Sequence, residues 1–310
     1  MDTSVERLPE FPALEPLGVS HLPRVNELLD RVPQTSDFCL VSLWCWSAPG
    51  QFRVAEWQDN LVVEFDAYVE GERCLSFIGN NDPIGTAKVL LTSAPGAELR
   101  HIPWWMAEHF KPTTGLVAEE DRDDFDYIYS PSDYRDLRGH DKRRIRHRLN
   151  RYRRLVADHE GLRSGVGNHQ LICERADQLR DLYKHWRLDG SPNVTSADAE
   201  AAAFEQLLQS AELLSRYTTL LLTYVELDDR LISASIGDVR EKQFIGHFAK
   251  SDRLFGDTGP FVMLMQRLDE MGLETCNGQQ DAGIAGLREH KTSYRPRELM
   301  RKCVVREAAS

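Results

Sequence analysis

The sequence predicts a mixed α/β (α+β) chain built as two domains in tandem. Three observations lead there. At 310 residues the chain is long for one core. In its second half, helical patterns precede three strand-like runs, and helix, strand, helix and strand follow. The first half mixes strand and helix patterns in the same way.

A helix-like stretch covers Val25 to Leu29, and an aromatic-rich run spans Phe38 to Trp46. Strand patterns follow at Leu61 to Val69 and Cys74 to Ile78, then helical ones at Ile84 to Leu91 and Trp104 to Phe110. The acid-rich Glu119 to Asp126 interrupts this order, which places the domain boundary near residue 125, with domains 1–125 and 126–310. Beyond a basic helix at 139–155, a strand is expected at Gln170 to Glu174 and helices at Ala176 to Leu188 and Ala197 to Leu214. Thr218 to Leu227 and Leu231 to Val239 read as strands joined by a turn at Asp228-Asp229-Arg230. Phe244 to Ala249 is a further strand, Gly259 to Met271 a helix and Glu274 to Cys276 a short strand. Ile284 to Ser293 is a helix and Met300 to Arg306 the last strand.

Charge is distributed unevenly. The segment Arg138 to Arg154 carries nine basic residues and one acid, although the formal net charge of the chain is -11. Removing that segment's +8 leaves about -19 for the rest. Ile145, Leu149 and Tyr152 recur at helical spacing and give the segment one narrow apolar face. An acidic protein with a single basic stripe is suited to hold a polyanion locally, because clustered Lys and Arg neutralise phosphates. A solvated surface helix paired with acids elsewhere is the plainer alternative.

A composition of 41% hydrophobic and 28% charged residues describes a folded chain. No run approaches 18 apolar residues and the start MDTSVERLPE lacks the pattern of a signal peptide, so a cytoplasmic protein is expected. The six cysteines show no CxxC pair, so reduced thiols and no metal site are expected. No Ser-His-Asp order, P-loop or zinc spacing supports a hydrolase, kinase or metalloenzyme.

The order of the second half resembles an acyltransferase fold of the Gcn5-related N-acetyltransferase (GNAT) type. In such a fold the loop after the fourth strand opens a helix whose free amides can hold an anion. Here that donor-end loop contains Arg253, Gly256 and Gly259, a spacing one residue away from the acetyl-CoA pattern, and glycines placed for steric reasons explain it equally well.

Two stretches are more specific. Asn277 to Pro296, NGQQDAGIAGLREHKTSYRP, supplies Asn277, Asp281, Gly283, Gly286, Leu287, Arg288, Lys291, Tyr294 and Pro296. Asp126-Tyr127-Ile128-Tyr129, Leu137-Arg138-Gly139, the basic run, and His247-Phe248-Ala249-Lys250-Ser251-Asp252 accompany it. Together they resemble the family of the catalytic domain of phosphatidylglycerol lysyltransferases and its free-standing relatives of the DUF2156 type. One departure stands out: Gln279 occupies a position where the family usually has Glu.

The resemblance implies tandem GNAT-like domains and an aminoacyltransferase that takes its acyl group from aminoacyl-tRNA, with no other cofactor. Lys142, Arg143, Arg146 and Arg148 would then bind tRNA phosphates. Asp281 would handle the acceptor's proton, Lys291 and Arg288 would neutralise the oxyanion or hold the terminal adenosine, and His247 and Lys250 would border the same cleft. Each has a structural alternative: a cap for Asp281, a buried fork for Arg288, a satisfied core histidine for His247. The expected acceptor is a hydroxyl or amine of a small soluble molecule, with natural-product pathways among the candidates. A CoA-dependent N-acyltransferase, lipid head-group aminoacylation and an idle tRNA-binding module remain as alternatives.

Overall fold

The computed structural model describes residues 7–47, 52–66, 73–94, 96–188, 194–252 and 258–308. The chain divides into two compact units. The first is Met1–Asp126 with Gln280–Arg288 and Leu299–Ser310; the second is Tyr127–Gln279 with Glu289–Glu298.

The chain opens with β1 (Glu15–Pro16), α1 (Leu22–Leu29), α2 (Leu40–Trp46), β2 (Phe52–Trp57), β3 (Asn60–Asp66) and β4 (Arg73–Ile78). Then come α3 (Pro83–Ser93), β5 (Leu99–Pro103), α4 (Trp104–Ala107) and β6 (Leu116–Glu120). The middle of the chain supplies β7 (Asp126–Tyr129), α5 (Arg143–Ala157), β8 (Leu162–Gly167), α6 (His169–Glu174), α7 (Ala176–Leu188) and α8 (Val194–Leu214). β9 (Thr219–Leu227), β10 (Arg230–Arg240), β11 (Gln243–Ser251), α9 (Thr258–Glu270), β12 (Thr275–Asn277) and α10 (Ala285–Ser293) follow. β13 (Glu298–Met300) and β14 (Lys302–Glu307) close the chain.

The first sheet runs β1-β2-β3-β4-β5-β14-β6 and the second β13-β7-β12-β11-β10-β9-β8. Both contain the same core. Three consecutive antiparallel strands, β2 to β4 or β9 to β11, are followed by a helix and then a strand parallel to the third of them. Hairpins suffice for the antiparallel pairs, whereas the parallel pair needs a crossover, which α3 and α9 provide. This is the acyltransferase order twice, a tandem GNAT-like architecture.

Local chemistry explains several elements. Asp82 caps α3 by accepting from the Gly85 amide at 3.0 Å, and Pro83 occupies the first helical position. Asp228 and Asp229 turn the β9–β10 hairpin with φ of 49° and 64°, the two left-handed residues that a tight hairpin requires.

Other expectations are corrected. Gln170 to Glu174 is helical, not a strand: the Asn168 side chain accepts from the Gln170 amide at 3.0 Å and starts α6, while the strand beside β9 is β8. The helix expected to reach Phe110 stops at Ala107, and the aromatic-rich run Phe38 to Trp46, to which the sequence assigns no element, contains α2. The expected last strand, Met300 to Arg306, is two strands in different sheets, broken at Arg301. A single cut near residue 125 would also leave 280–310 in the second domain, whereas residues 280–288 and 299–310 pack with the first.

A buried charge cluster accompanies β14 in its place between β5 and β6. Lys302 is wholly buried, and its ammonium donates to Asp126 Oδ1 at 2.7 Å and Ser36 Oγ at 3.1 Å and pairs with Asp37. His101 Nδ1 lies 3.0 Å from Asp124 Oδ2 and 3.7 Å from Asp37 Oδ1. A charge removed from water in this way is tolerable only with such partners.

Candidate functional site

In the second unit β11 and β12 pair in parallel from Gln243/Thr275 to Ile245/Asn277, where the ladder ends. Just past that point β11 carries a bulge. Ile236 pairs with Phe248 and Gly237 with Gly246, so His247 is the extra residue. Gly237 makes this possible, because a Cβ there would lie 2.2 Å from the Ile245 carbonyl oxygen.

The bulge aims His247 at Asp238 of β10, with Nε2 2.6 Å from Oδ1. Both side chains are enclosed, at 2% and 3% exposure. Asp238 Oδ2 accepts from the Thr218 hydroxyl at 2.8 Å. On its other side, His247 Nδ1 lies 3.4 Å from Gln279 Nε2.

Gln279 sits in a strained, heavily tied loop between β12 and α10. Gln279, Ala282 and Gly283 have φ of 61°, 50° and 71°. In the second unit, Asn277 Oδ1 accepts from the Gln279 amide at 2.8 Å, and the Lys291 ammonium donates to the carbonyls of Gly278 and Gln279 at 2.8 and 3.2 Å. Lys291 and His247 therefore meet on one residue, Gln279.

The remainder of the loop belongs to the first unit. Asp281 is fully buried and accepts from Arg288 Nε and Nη2 at 2.9 and 2.6 Å and from Arg122 Nη1 at 3.3 Å. Its Oδ1 also accepts from the Gly283 amide at 3.0 Å. Arg288 reaches Asp123 at 2.6 Å as well, and these hydrogen bonds, that to Asp281 foremost, hold its guanidinium above its ordinary pKa. Gly283 is required here by its positive φ and by Asp123, whose Oδ2 would lie 2.7 Å from an added Cβ. Asp281 and Arg288 thus form a bidentate fork, whereas Lys291, His247 and Lys250 belong to the other unit.

Lys250 stands apart from His247. It pairs with Glu200 of α8 at 2.7 Å and lies 3.5 Å from the Trp186 ring centroid of α7. Burial lowers its pKa, against the pull of Glu200. Its stem borders a small cavity lined by Leu179, Leu182, Phe204 and Phe248.

The basic run forms α5, with Ile145, Leu149 and Tyr152 buried as their spacing predicts. Its basic residues fall into two groups. Lys142 donates to the Asp133 carbonyl, Arg146 to the carbonyls of Leu137 and Gly139, and Arg148 to Ser293 Oγ at 3.0 Å. Arg143, Arg144, Arg151, Arg153 and Arg154 are exposed, and among the described residues no acid pairs with them. Of the expected phosphate ligands, Arg143 is therefore presented to solvent, while the other three also anchor the helix.

Of the donor-end loop, Arg253 and Gly256 lie outside the described residues. Gly259, in the first turn of α9, serves helix packing: a Cβ there would lie 2.1 Å from Tyr152 Cγ of α5. Sequence reasoning did not single out Asp238, Thr218 or Glu200. An acid beside a glycine within the apolar strand LISASIGDVR was the available signal for Asp238.

The family model for phosphatidylglycerol lysyltransferase, C-terminal, matches residues 33–305. The chain belongs to this family. It is therefore an aminoacyltransferase of the aminoacyl-tRNA-dependent class. Among solved structures, a conserved protein of unknown function from Bacteroides thetaiotaomicron is 20% identical with TM-score 0.76, covering 95% of this chain and 99% of that one. The C-terminal domain of a putative lysylphosphatidylglycerol synthetase from Agrobacterium fabrum is 15% identical with TM-score 0.63, covering 92% and 90%. L-PGS from Bacillus licheniformis is 15% identical with TM-score 0.60, covering 98% and 95%. At these identities the likeness concerns the fold. Among curated proteins no sequence matches. No helix among the described residues is long and apolar enough to cross a membrane.

Proposed function

We propose that this chain moves an aminoacyl group from a charged tRNA to the hydroxyl or amine of a small soluble acceptor. The observation that carries the tRNA half is α5: an apolar face fixes the helix while five arginines remain in solvent. Such a row suits backbone phosphates of an RNA stem, read with little sequence preference.

An aminoacyl ester is already activated. The acceptor attacks the ester carbonyl, the bond to the ribose oxygen breaks, and the acceptor's proton ends on that oxygen. Positioning is then the main demand. The geometry within each unit supports that reading: in the first, Asp281 and Arg288 form a bidentate fork, and in the second Lys291 and His247 both hold Gln279 while Lys250 rests against Trp186.

Transfer should require charged tRNA and vanish with RNase. Arg143→Glu with Arg151→Glu should weaken binding of all tRNA species alike, and wild-type binding should fall steeply with salt. Transfer from acyl-CoA with charged tRNA ignored would overturn the reading, and so would unchanged tRNA binding by the double variant.

A further inference from the structure

We propose that Gln279 is a specificity-determining residue whose amide is turned by a buried relay, Thr218–Asp238–His247, so that its carbonyl oxygen faces the substrate as an uncharged acceptor. Its assignment to substrate recognition rests on the function proposed above; the relay itself does not.

The direction of the relay follows from donor and acceptor capacity. A carboxylate only accepts. Asp238 takes the Thr218 hydroxyl on Oδ2 and His247 Nε2 on Oδ1, so the hydrogen of a neutral His247 sits on Nε2. Nδ1 then carries a lone pair and requires a donor. The Gln279 amide nitrogen, 3.4 Å from Nδ1, is placed to supply it. With its nitrogen spent on the imidazole, Gln279 must direct Oε1 away from His247. Among the described residues that oxygen has no hydrogen-bond partner, and the side chain is half-buried.

The backbone of Gln279 has no freedom to undo this orientation. Its φ is 61°, its amide is held by Asn277 Oδ1, and its carbonyl by Lys291 and by the Tyr127 amide at 3.2 Å. Such a fixed, neutral acceptor suits a ligand's N–H or O–H donor and supplies no counter-charge. A carboxylate at this place would instead require a second proton on His247, since Nδ1 would then have to donate.

The test begins with the free protein. In two-bond 1H–15N spectra of histidine-labelled full-length chain near pH 7, His247 should be the Nε2–H tautomer. In Gln279→Glu both ring nitrogens should be protonated, and in Asp238→Asn the single tautomer should be lost. An Nδ1–H or doubly protonated His247 in the wild type overturns the relay.

The second arm uses a panel of 3′-aminoacylamino-3′-deoxyadenosines, stable analogues of the charged tRNA end. At least one should bind the wild type, about tenfold more weakly to Gln279→Leu, as for the loss of one hydrogen bond, and without such loss to Gln279→Glu. Equal binding by Gln279→Leu, or binding of no analogue to the wild type, overturns the specificity role. A protein that passes both arms yet transfers from no charged tRNA would refute the function proposed above and leave this inference standing.

Discussion

His101 is held between carboxylates in the first unit, and its charge makes stability depend on pH. Burial alone would lower its pKa, but Asp124 and then Asp37 outweigh burial and raise it above the ordinary 6.5. For Asp124, burial pushes upward and His101 more than offsets it, so its pKa lies below the ordinary 3.8. A raised histidine stabilises fully below its unfolded value and ceases to do so as pH rises through the folded one. A lowered carboxylate stabilises above its unfolded value and ceases to do so as pH falls through the folded one. The pair therefore contributes fully between 3.8 and 6.5. Thermal melts of wild type and His101→Gln should differ most in that window, with the gap narrowing toward alkaline pH. A gap that stays constant up to pH 9 would show that His101 is neutral in the fold.

The helix pair α5 and α9 depends on a missing side chain. Tyr152 lies against Gly259 so closely that even a methyl group must displace one helix. Gly259→Ala should cost roughly 1–3 kcal/mol in urea unfolding, as overpacking does elsewhere. Because the same shift moves α5, the tRNA binding proposed for that helix should weaken as well, although no basic residue is altered. If stability and affinity both stay at wild-type levels, Gly259 has another reason to be there. The apolar stripe of α5 was legible because 3.6-residue periodicity reports burial directly. The division of its arginines into anchors and free heads was not, since the carbonyls of Leu137 and Gly139 reach Arg146 only once the preceding turn is folded.

For the molecule as a whole, the last strand completes the first sheet, and Lys302 is the residue that commits it. Its ammonium neutralises Asp126 and Asp37 inside the core. Lys302→Met would leave those carboxylates without their cation and should destabilise the fold by roughly 3–5 kcal/mol, as for a buried pair broken on one side. Hydrogen exchange should show the loss in β5, β6 and β14 first. Protection unchanged in those strands would place the stabilising role of the cluster elsewhere.

The sequence by itself determined the order of elements from β9 to α10, the basic amphipathic helix, the hairpin at Asp228-Asp229 and the family signature from Asn277 to Pro296. Each of these is written in local spacing or local turn chemistry. Only the tertiary structure decided that β14 joins the first sheet, that His247 is a bulged residue facing Asp238, and that Asp281 lies within the Arg288 fork. Strand pairing, bulge register and charge partnership join residues from 7 positions apart, for Asp281 and Arg288, to 176, for Asp126 and Lys302, and no local pattern records which of many possible partners is chosen.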